Sequence, residues 1–215
     1  IRDEPVGVVG FSFGAPHAVG ARASPRLGDE IGAACGFGGY CSLRHTFRFM
    51  MTGQYNEAGK EAYLRPDPYG RWIVATNYLT AVPGYEDATD VAEALRTLAC
   101  HAGDIGAASW DALYDPIIHN LRSTIAMERR GLFDLFAPGS KTHAPGPEAF
   151  HIGERLEEAA RLTDPTLDPT SVLGAVRGTV HLLHGRVDHL IPYSESQRIA
   201  AALRVASPRL TITRL

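Results

Sequence analysis

An apolar, β-branched run leads directly into a serine between two glycines near the start of the chain. Residues 6–9 read VGVV, which is typical of a central strand of a parallel sheet that is covered on both faces. The run GFSFG at residues 10–14 follows, and the next residues are small, with Pro16 early enough to sit in a first helical turn. The sequence therefore predicts a strand, a tight turn carrying Ser12, and a helix. Gly10 and Gly14 are expected to exclude a side chain, because a Cβ at either position would clash with the turn or with the neighbouring strands.

The same alternation continues and is then interrupted. A second apolar run at residues 30–39 predicts another buried strand, and an apolar strand returns at residues 178–185. Between about residues 44 and 169 the pattern predicts helices, at 86–101, 116–131 and 147–162, and no clear strand. A helix from residue 195 to 204 is expected near the end of the chain, with Ser194 and Gln197 as its capping box.

These patterns predict an α/β fold, a mostly parallel sheet with flanking helices and a helical lid or cap inserted into it. We expect the first part of the sheet layer in residues 1–44, the insertion in residues 45–170 and the second part of the sheet layer in residues 171–215. With 215 residues, of which 45% are hydrophobic, the chain is long enough to bury a sizeable core.

Composition excludes several functional classes. A net charge of −3 without a basic patch argues against binding to nucleic acid or to an anionic membrane surface. The sequence has no apolar run of 18 residues, so it predicts no membrane-spanning segment. Three cysteines without a C-x-x-C pair indicate neither a disulfide framework nor a thiolate metal site, and the nine histidines show no metal-binding spacing. We expect no metal and no cofactor, and a small neutral or acyl substrate. The sequence does not indicate an oligomeric state.

Ser12 and Asp188 are the candidate catalytic residues. A serine hydroxyl is a poor nucleophile near pH 7 and needs a base, usually histidine, which a carboxylate orients. Asp188 lies in a polar loop after the strand at residues 178–185, at the carboxyl edge where open α/β sheets gather their sites. Two alternatives stay open: a tight turn with an incidental serine, and a turn or helix-capping aspartate.

The histidine that would act as the base for Ser12 is harder to identify than the serine and the carboxylate. His189 is the histidine that follows Asp188, and an adjacent residue in an extended loop is not expected to reach both Asp188 and Ser12. We expect His184 to pack or to support the site. The chain stops directly after an alternating strand at residues 209–215, so the base is expected beyond Leu215.

Three stretches together resemble the α/β-hydrolase family: VGVVGFSFGA at residues 6–15, ACGFGGY at 34–40 and LLHGRVDHLIP at 182–192. The resemblance implies Ser12 as nucleophile, the backbone N–H of Phe13 as an oxyanion-hole donor and Asp188 as triad acid. It implies hydrolysis of a carboxylic ester or related acyl compound through an acyl-serine intermediate, without a cofactor. The insertion occupies the place of a lid in that family.

The resemblance also places a second oxyanion donor before Ile1, so the 215 residues alone are expected to be inactive or barely active. Two other functions stay open: a non-catalytic binding protein of the same fold, and an acyltransferase that uses the same serine. Because the chain starts at Ile1 directly before a strand, we expect a preceding N-terminal segment, which leaves localisation open with the cytoplasm slightly favoured.

Overall fold

The computed structural model describes residues 4–142 and 147–214, which form six β-strands and nine α-helices. The strands are β1 (Val6–Phe11), β2 (Ile31–Phe37), β3 (Gln54–Glu57), β4 (Lys60–Tyr63), β5 (Thr179–Gly185) and β6 (Ser207–Thr213). The helices are α1 (Gly14–Gly20), α2 (Leu43–Thr52), α3 (Pro68–Tyr78), α4 (Thr89–Ile105), α5 (Asp115–Thr124), α6 (Arg130–Phe136), α7 (Pro147–Thr163), α8 (Thr170–Leu173) and α9 (Ser194–Ala202).

The chain divides into two compact units. The sheet unit comprises Ile1–Thr46, Tyr55–Ala62 and Thr166–Leu215, and the helical unit comprises Phe47–Gln54 and Tyr63–Pro165. The sheet unit is thus assembled from three separate stretches of the sequence.

The sheet unit contains a four-stranded sheet in the order β1-β2-β5-β6, and all three strand pairs are parallel. Its parallel neighbours are joined by crossovers that contain helices, as parallel strands require. Apolar side chains of α1, α8 and α9 pack with those of β5 in one core, which comprises Val19, Cys41, Leu173, Val176, Val180, Leu182, Ile199 and Leu203. The predicted α/β class, with a mostly parallel sheet and flanking helices, is confirmed.

The first strand differs from its prediction. β1 was expected to be covered on both sides, but it lies at one end of the strand order, and its partner within residues 4–142 and 147–214 is β2 alone. Val9 and Phe11 are 58% and 67% exposed. An apolar run indicates a strand that favours burial, but the pattern does not say which neighbour covers it.

Two short strands lie in residues 44–169, where the pattern predicted helices and no clear strand. β3 and β4 form a separate two-stranded sheet across a two-residue turn, in which Ala58 and Gly59 have φ angles of 50° and 84°. Two positive φ angles in succession are the requirement of a type I′ hairpin turn. Each strand has only four residues and mostly polar side chains, which gave little periodicity to recognise.

The helical unit is built around buried aromatic side chains. The Trp72 indole is fully buried, donates a 2.9 Å hydrogen bond to the Phe136 carbonyl and packs edge-on against Tyr114. The helices predicted at 86–101 and 147–162 correspond to α4 and α7, whereas the pattern at 116–131 is broken at Ile125, between α5 and α6. None of the helices in the described part of the chain is both long and apolar enough to span a bilayer.

Candidate functional site

Ser12 occupies a strained turn between β1 and α1. Its φ is +50°, and Ala58 of the hairpin turn is the other non-glycine residue with a positive φ in the described part of the chain. Such a conformation costs roughly 1–3 kcal/mol and is kept only where the surroundings enforce it. Here the Ser12 N–H donates to the Phe37 carbonyl at 2.8 Å, and the Ser12 carbonyl accepts from the Ala15 N–H at 3.0 Å. The turn therefore presents an exposed serine from a fixed backbone.

The two glycines that flank Ser12 have different roles. A Cβ added at Gly10 would lie 2.2 Å from the Gly14 carbonyl oxygen and 2.7 Å from the Ala18 Cβ, distances that no packing tolerates. A Cβ added at Gly14 would meet no described heavy atom within 4 Å, its own helix backbone aside. The expectation that both positions exclude a side chain is therefore wrong for Gly14. Only Gly10 lets α1 approach β1.

Asp188 is fixed in the loop that follows β5. Its Oδ1 accepts hydrogen bonds from the N–H groups of Leu190 at 2.8 Å and Ile191 at 3.0 Å. Burial acts to raise the pKa of Asp188, but the hydrogen bonds from His184 and the two N–H groups outweigh it, and the pKa lies below its usual value. Asp188 is therefore a carboxylate at neutral pH, with 26% of its side chain exposed.

His184, at the end of β5, supports this loop. Its Nε2 lies 2.9 Å from the Ile191 carbonyl oxygen and 3.4 Å from Asp188 Oδ2, and its Nδ1 lies 2.7 Å from Ser196 Oγ. Because a carbonyl oxygen only accepts, Nε2 carries the hydrogen of its bond to Ile191, while Nδ1 is hydrogen-bonded to the Ser196 hydroxyl. The ring is fully buried, so it ties the loop to α9 without contacting solvent.

The end of β2 connects the Ser12 turn with the Asp188 loop. Phe37, the last residue of β2, accepts the Ser12 N–H, and the next residue, Gly38, has a φ of +62°. A Cβ added at Gly38 would lie 3.4 Å from Asp188 Oδ2. Ser12 and Asp188 therefore border the same two-residue segment. The glycine-rich end of the predicted strand was the available signal, but it did not indicate a contact with Asp188.

Phe13 follows Ser12 directly and precedes the first residue of α1. Its ring packs against Tyr40, with 4.7 Å between the centroids. Its backbone N–H has no hydrogen-bond acceptor among the residues that the structure describes. The donor next to the serine is thus available to an oxygen of a bound molecule.

A buried carboxyl group that sequence reasoning missed holds the segment after β2. Glu195 is 1% exposed, and its Oε2 accepts from the N–H groups of Cys41 at 3.0 Å and Ser42 at 2.8 Å. Burial raises the pKa of Glu195, and these hydrogen bonds and the nearby Arg198 reduce that rise. Ser194 was predicted as the helix cap, but it is the first residue of α9 and Tyr193 precedes it as the cap. A glutamate in a first helical turn gave no signal of this contact.

No side chain in residues 4–142 and 147–214 is hydrogen-bonded to the Ser12 hydroxyl, and His184 is hydrogen-bonded to Ser196 and to the Ile191 carbonyl instead. The base expected beyond Leu215 and the second oxyanion donor expected before Ile1 lie outside the described residues. The described side chains include no group of three or more His, Cys, Asp or Glu residues placed to hold a metal ion.

No protein-family model and no curated protein matches the sequence. Among solved structures, the chain is similar to an acetylester hydrolase from Corynebacterium glutamicum, with 16% identity and a TM-score of 0.37 over 96% of this chain and 53% of that one. It is also similar to a loop variant of a haloalkane dehalogenase from Bradyrhizobium elkanii, with 13% identity and a TM-score of 0.44 over 97% of this chain and 60% of that one. The chain thus spans between 53% and 60% of the length of these two structures.

Proposed function

We propose that the protein is a serine hydrolase that cleaves a carboxylic ester or a related acyl compound through an acyl-serine intermediate. Ser12 is the nucleophile, Asp188 is the carboxylate that orients the base, and the Phe13 N–H donates to the oxyanion. The observation that carries the proposal is the strained, exposed Ser12 beside the end of β2, which also borders Asp188. The lid role of the helical insertion belongs to the same proposal.

The arrangement of Asp188 supports its role. Oδ1 is engaged by two backbone N–H groups, which fix the orientation of the carboxylate. Among the described residues, the polar contact of Oδ2 is the longer one of 3.4 Å with His184 Nε2, which is closer to the Ile191 carbonyl oxygen. Oδ2 therefore keeps the capacity to accept from a base. A charged carboxylate with one oxygen able to accept a hydrogen bond stabilises an imidazolium without taking its proton.

The proposed reaction has two steps. In the first, Ser12 Oγ attacks the carbonyl carbon, the base takes the hydroxyl proton, and the oxyanion accepts the Phe13 N–H. The bond from the acyl carbon to the leaving oxygen then breaks, and the base returns its proton to the departing alcohol. In the second step, water attacks the acyl carbon and the same base takes its proton. The bond from the acyl carbon to Ser12 Oγ then breaks, the base returns the proton to Oγ, and the carboxylic acid leaves. The chemistry needs no metal and no redox cofactor.

Covalent labelling of the complete protein with a fluorophosphonate tests the proposal. An activated serine displaces fluoride and forms a phosphonyl ester on Oγ, which a gel or mass spectrometry detects. We expect labelling of the protein, loss of labelling in Ser12→Ala, and unchanged labelling in Ser171→Ala, which removes an exposed hydroxyl from α8. The modified peptide should contain Ser12.

Three results would contradict the proposal. Absence of labelling in the folded, complete protein would exclude an activated serine and favour a binding function for this fold. Labelling that survives in Ser12→Ala would place the reactive group elsewhere. If Ser12 is labelled but an alcohol acceptor collects the acyl group in preference to water, the protein is an acyltransferase.

A further inference from the structure

The helical unit contains a cavity of about 210 Å³. Apolar and aromatic groups form much of its wall, among them Pro66, Pro68, Trp110, Leu135 and Ala149. All of its lining residues belong to the helical unit, and neither Ser12 nor Asp188 is among them. We propose that this cavity binds a small carboxylate whose charged end is held by Arg71 and whose apolar body contacts Trp110.

Arg71 is the side chain that indicates an anionic ligand. It lies in α3, lines the cavity and is 5% exposed. One of its terminal N–H groups donates to the Leu135 carbonyl at 3.3 Å, and its Nε is buried with no hydrogen-bond partner among the described residues. A guanidinium has five N–H donors, so most of the donors of Arg71 have no acceptor within residues 4–142 and 147–214. Burial lowers the pKa of Arg71 to about 10, which leaves it charged at neutral pH.

The acidic groups near Arg71 are engaged by other donors. Asp67 accepts from the N–H of Tyr69 at 2.9 Å and from the N–H of Ser109 at 3.3 Å. Asp134, which also lines the cavity, forms a two-point ion pair with Arg122, at 2.7 and 2.9 Å. The negative charge of Asp67 acts to raise the pKa of Arg71, but the two side chains form no hydrogen bond. Neither carboxylate therefore uses the donors that Arg71 keeps available.

A second cation strengthens the preference for an anion. Arg65 lines the cavity, and its guanidinium lies 4.9 Å from the centroid of the Trp110 ring. The cation–π contact fixes both side chains in the wall. Two arginines and one paired aspartate give the lining a net positive charge.

The shape and chemistry select a carboxylate with an apolar body. The planar fork of a guanidinium matches the two oxygens of a carboxylate, and the pair is stronger where water is excluded. The volume is below the range of about 300–1,000 Å³ that is typical of pockets for drug-sized ligands, so the ligand is small. This inference is independent of the proposed hydrolase function, because it rests on a different unit of the protein.

An NMR titration with benzoate tests the inference. The chain has two tryptophans, so the indole N–H signal of Trp110 reports the cavity, and that of Trp72, bonded to the Phe136 carbonyl, is an internal reference. We expect saturable shifts of the Trp110 signal with benzoate, and binding about tenfold weaker or more for benzamide, which has the same size without the charge. Arg71→Met should weaken benzoate binding by about tenfold or more, and Arg71→Lys should weaken it less.

Arg96→Met is the matched control, since Arg96 is exposed on α4 and does not line the cavity, and it should bind benzoate as the unaltered protein does. If Arg71→Met does not fold, Arg65→Met provides the second test, with an expected loss of about threefold. Equal affinity for benzoate and benzamide, no saturable shift with benzoate, butyrate or cyclohexanecarboxylate, or tighter binding of inorganic phosphate would each overturn the carboxylate assignment.

Discussion

The Ser12 turn and the Asp188 loop follow strands of the same sheet, but different interactions hold them in place. The Ser12 turn depends on backbone geometry and on a missing side chain: a positive φ, the N–H bond to Phe37 and the close approach of α1 that Gly10 allows. The Asp188 loop depends on polar side chains that are satisfied inside the protein, above all His184. The first should therefore respond to added volume, and the second to lost hydrogen bonds and to pH.

Substitution at Gly10 should cause the largest loss of stability. Gly10→Ala places a methyl group 2.2 Å from a backbone oxygen of α1, and neither the strand nor the helix can move without disturbing Ser12. We expect a loss of about 3 kcal/mol in the free energy of unfolding, because overpacking against backbone forces the main chain to shift. Urea denaturation of the two proteins measures it.

Gly14→Ala is the matched control, since it adds the same methyl group four residues away, where the described residues place no heavy atom within 4 Å, chain neighbours and the backbone of α1 aside. Its free energy of unfolding should stay within about 0.5 kcal/mol of the unaltered protein or rise slightly, because alanine favours a helix over glycine. Equal losses for the two variants would show that the turn resists any side chain and that Gly10 has no special contact with α1.

Removal of the His184 ring should have the second-largest effect, and it should be confined to the Asp188 loop. His184→Phe keeps the volume but leaves the Ser196 hydroxyl and the Ile191 carbonyl without their buried partner. We expect a loss of about 2 kcal/mol in stability, the usual cost of unsatisfied buried polar groups. Hydrogen exchange should accelerate at the Leu190 and Ile191 N–H groups, which bond to Asp188, and should not change at the Ser12 N–H.

His181→Phe serves as the comparison variant, because His181 lies on the same strand but is half-buried and belongs to neither of these contacts. Its stability should change by less than about 0.5 kcal/mol. If His184→Phe accelerated exchange at Ser12 as much as at Ile191, the two regions would form one cooperative unit, and the distinction between them would be lost.

The Ser12 turn could be predicted from the sequence because its determinants are local. A strand pattern, a small-residue helix and a serine between glycines occupy ten consecutive residues, and β1 and α1 begin and end close to the predicted positions. Periodicity and composition report such short-range features directly. The parallel sheet also followed, because apolar strands alternate with helices.

The contacts around Asp188 could not be predicted in the same way. They join residues far apart in the sequence, such as Gly38 with Asp188 and Glu195 with Cys41, and a single sequence contains no record of those pairings. The exposed first strand and the short hairpin were missed for a related reason. An apolar run does not identify the strands that pair with it, and four-residue strands show too little periodicity to be recognised.

The smallest expected effect is a change in the pH dependence of stability, and it is specific to the charge on Asp188. The folded protein lowers the pKa of Asp188 below its unfolded value of about 3.9, so its contribution to stability is complete above that value and is lost as the pH falls through the folded pKa. Asp188→Asn should cost about 1 kcal/mol near pH 7, and the difference from the unaltered protein should shrink below about pH 4. Glu195, whose pKa is raised, acts in the opposite direction but is present in both proteins and cancels in this difference. Urea denaturation between pH 7 and 3 measures it. A difference that stays constant across this range would mean that the loop is held by geometry alone, as the Ser12 turn is, and not by the charge on Asp188.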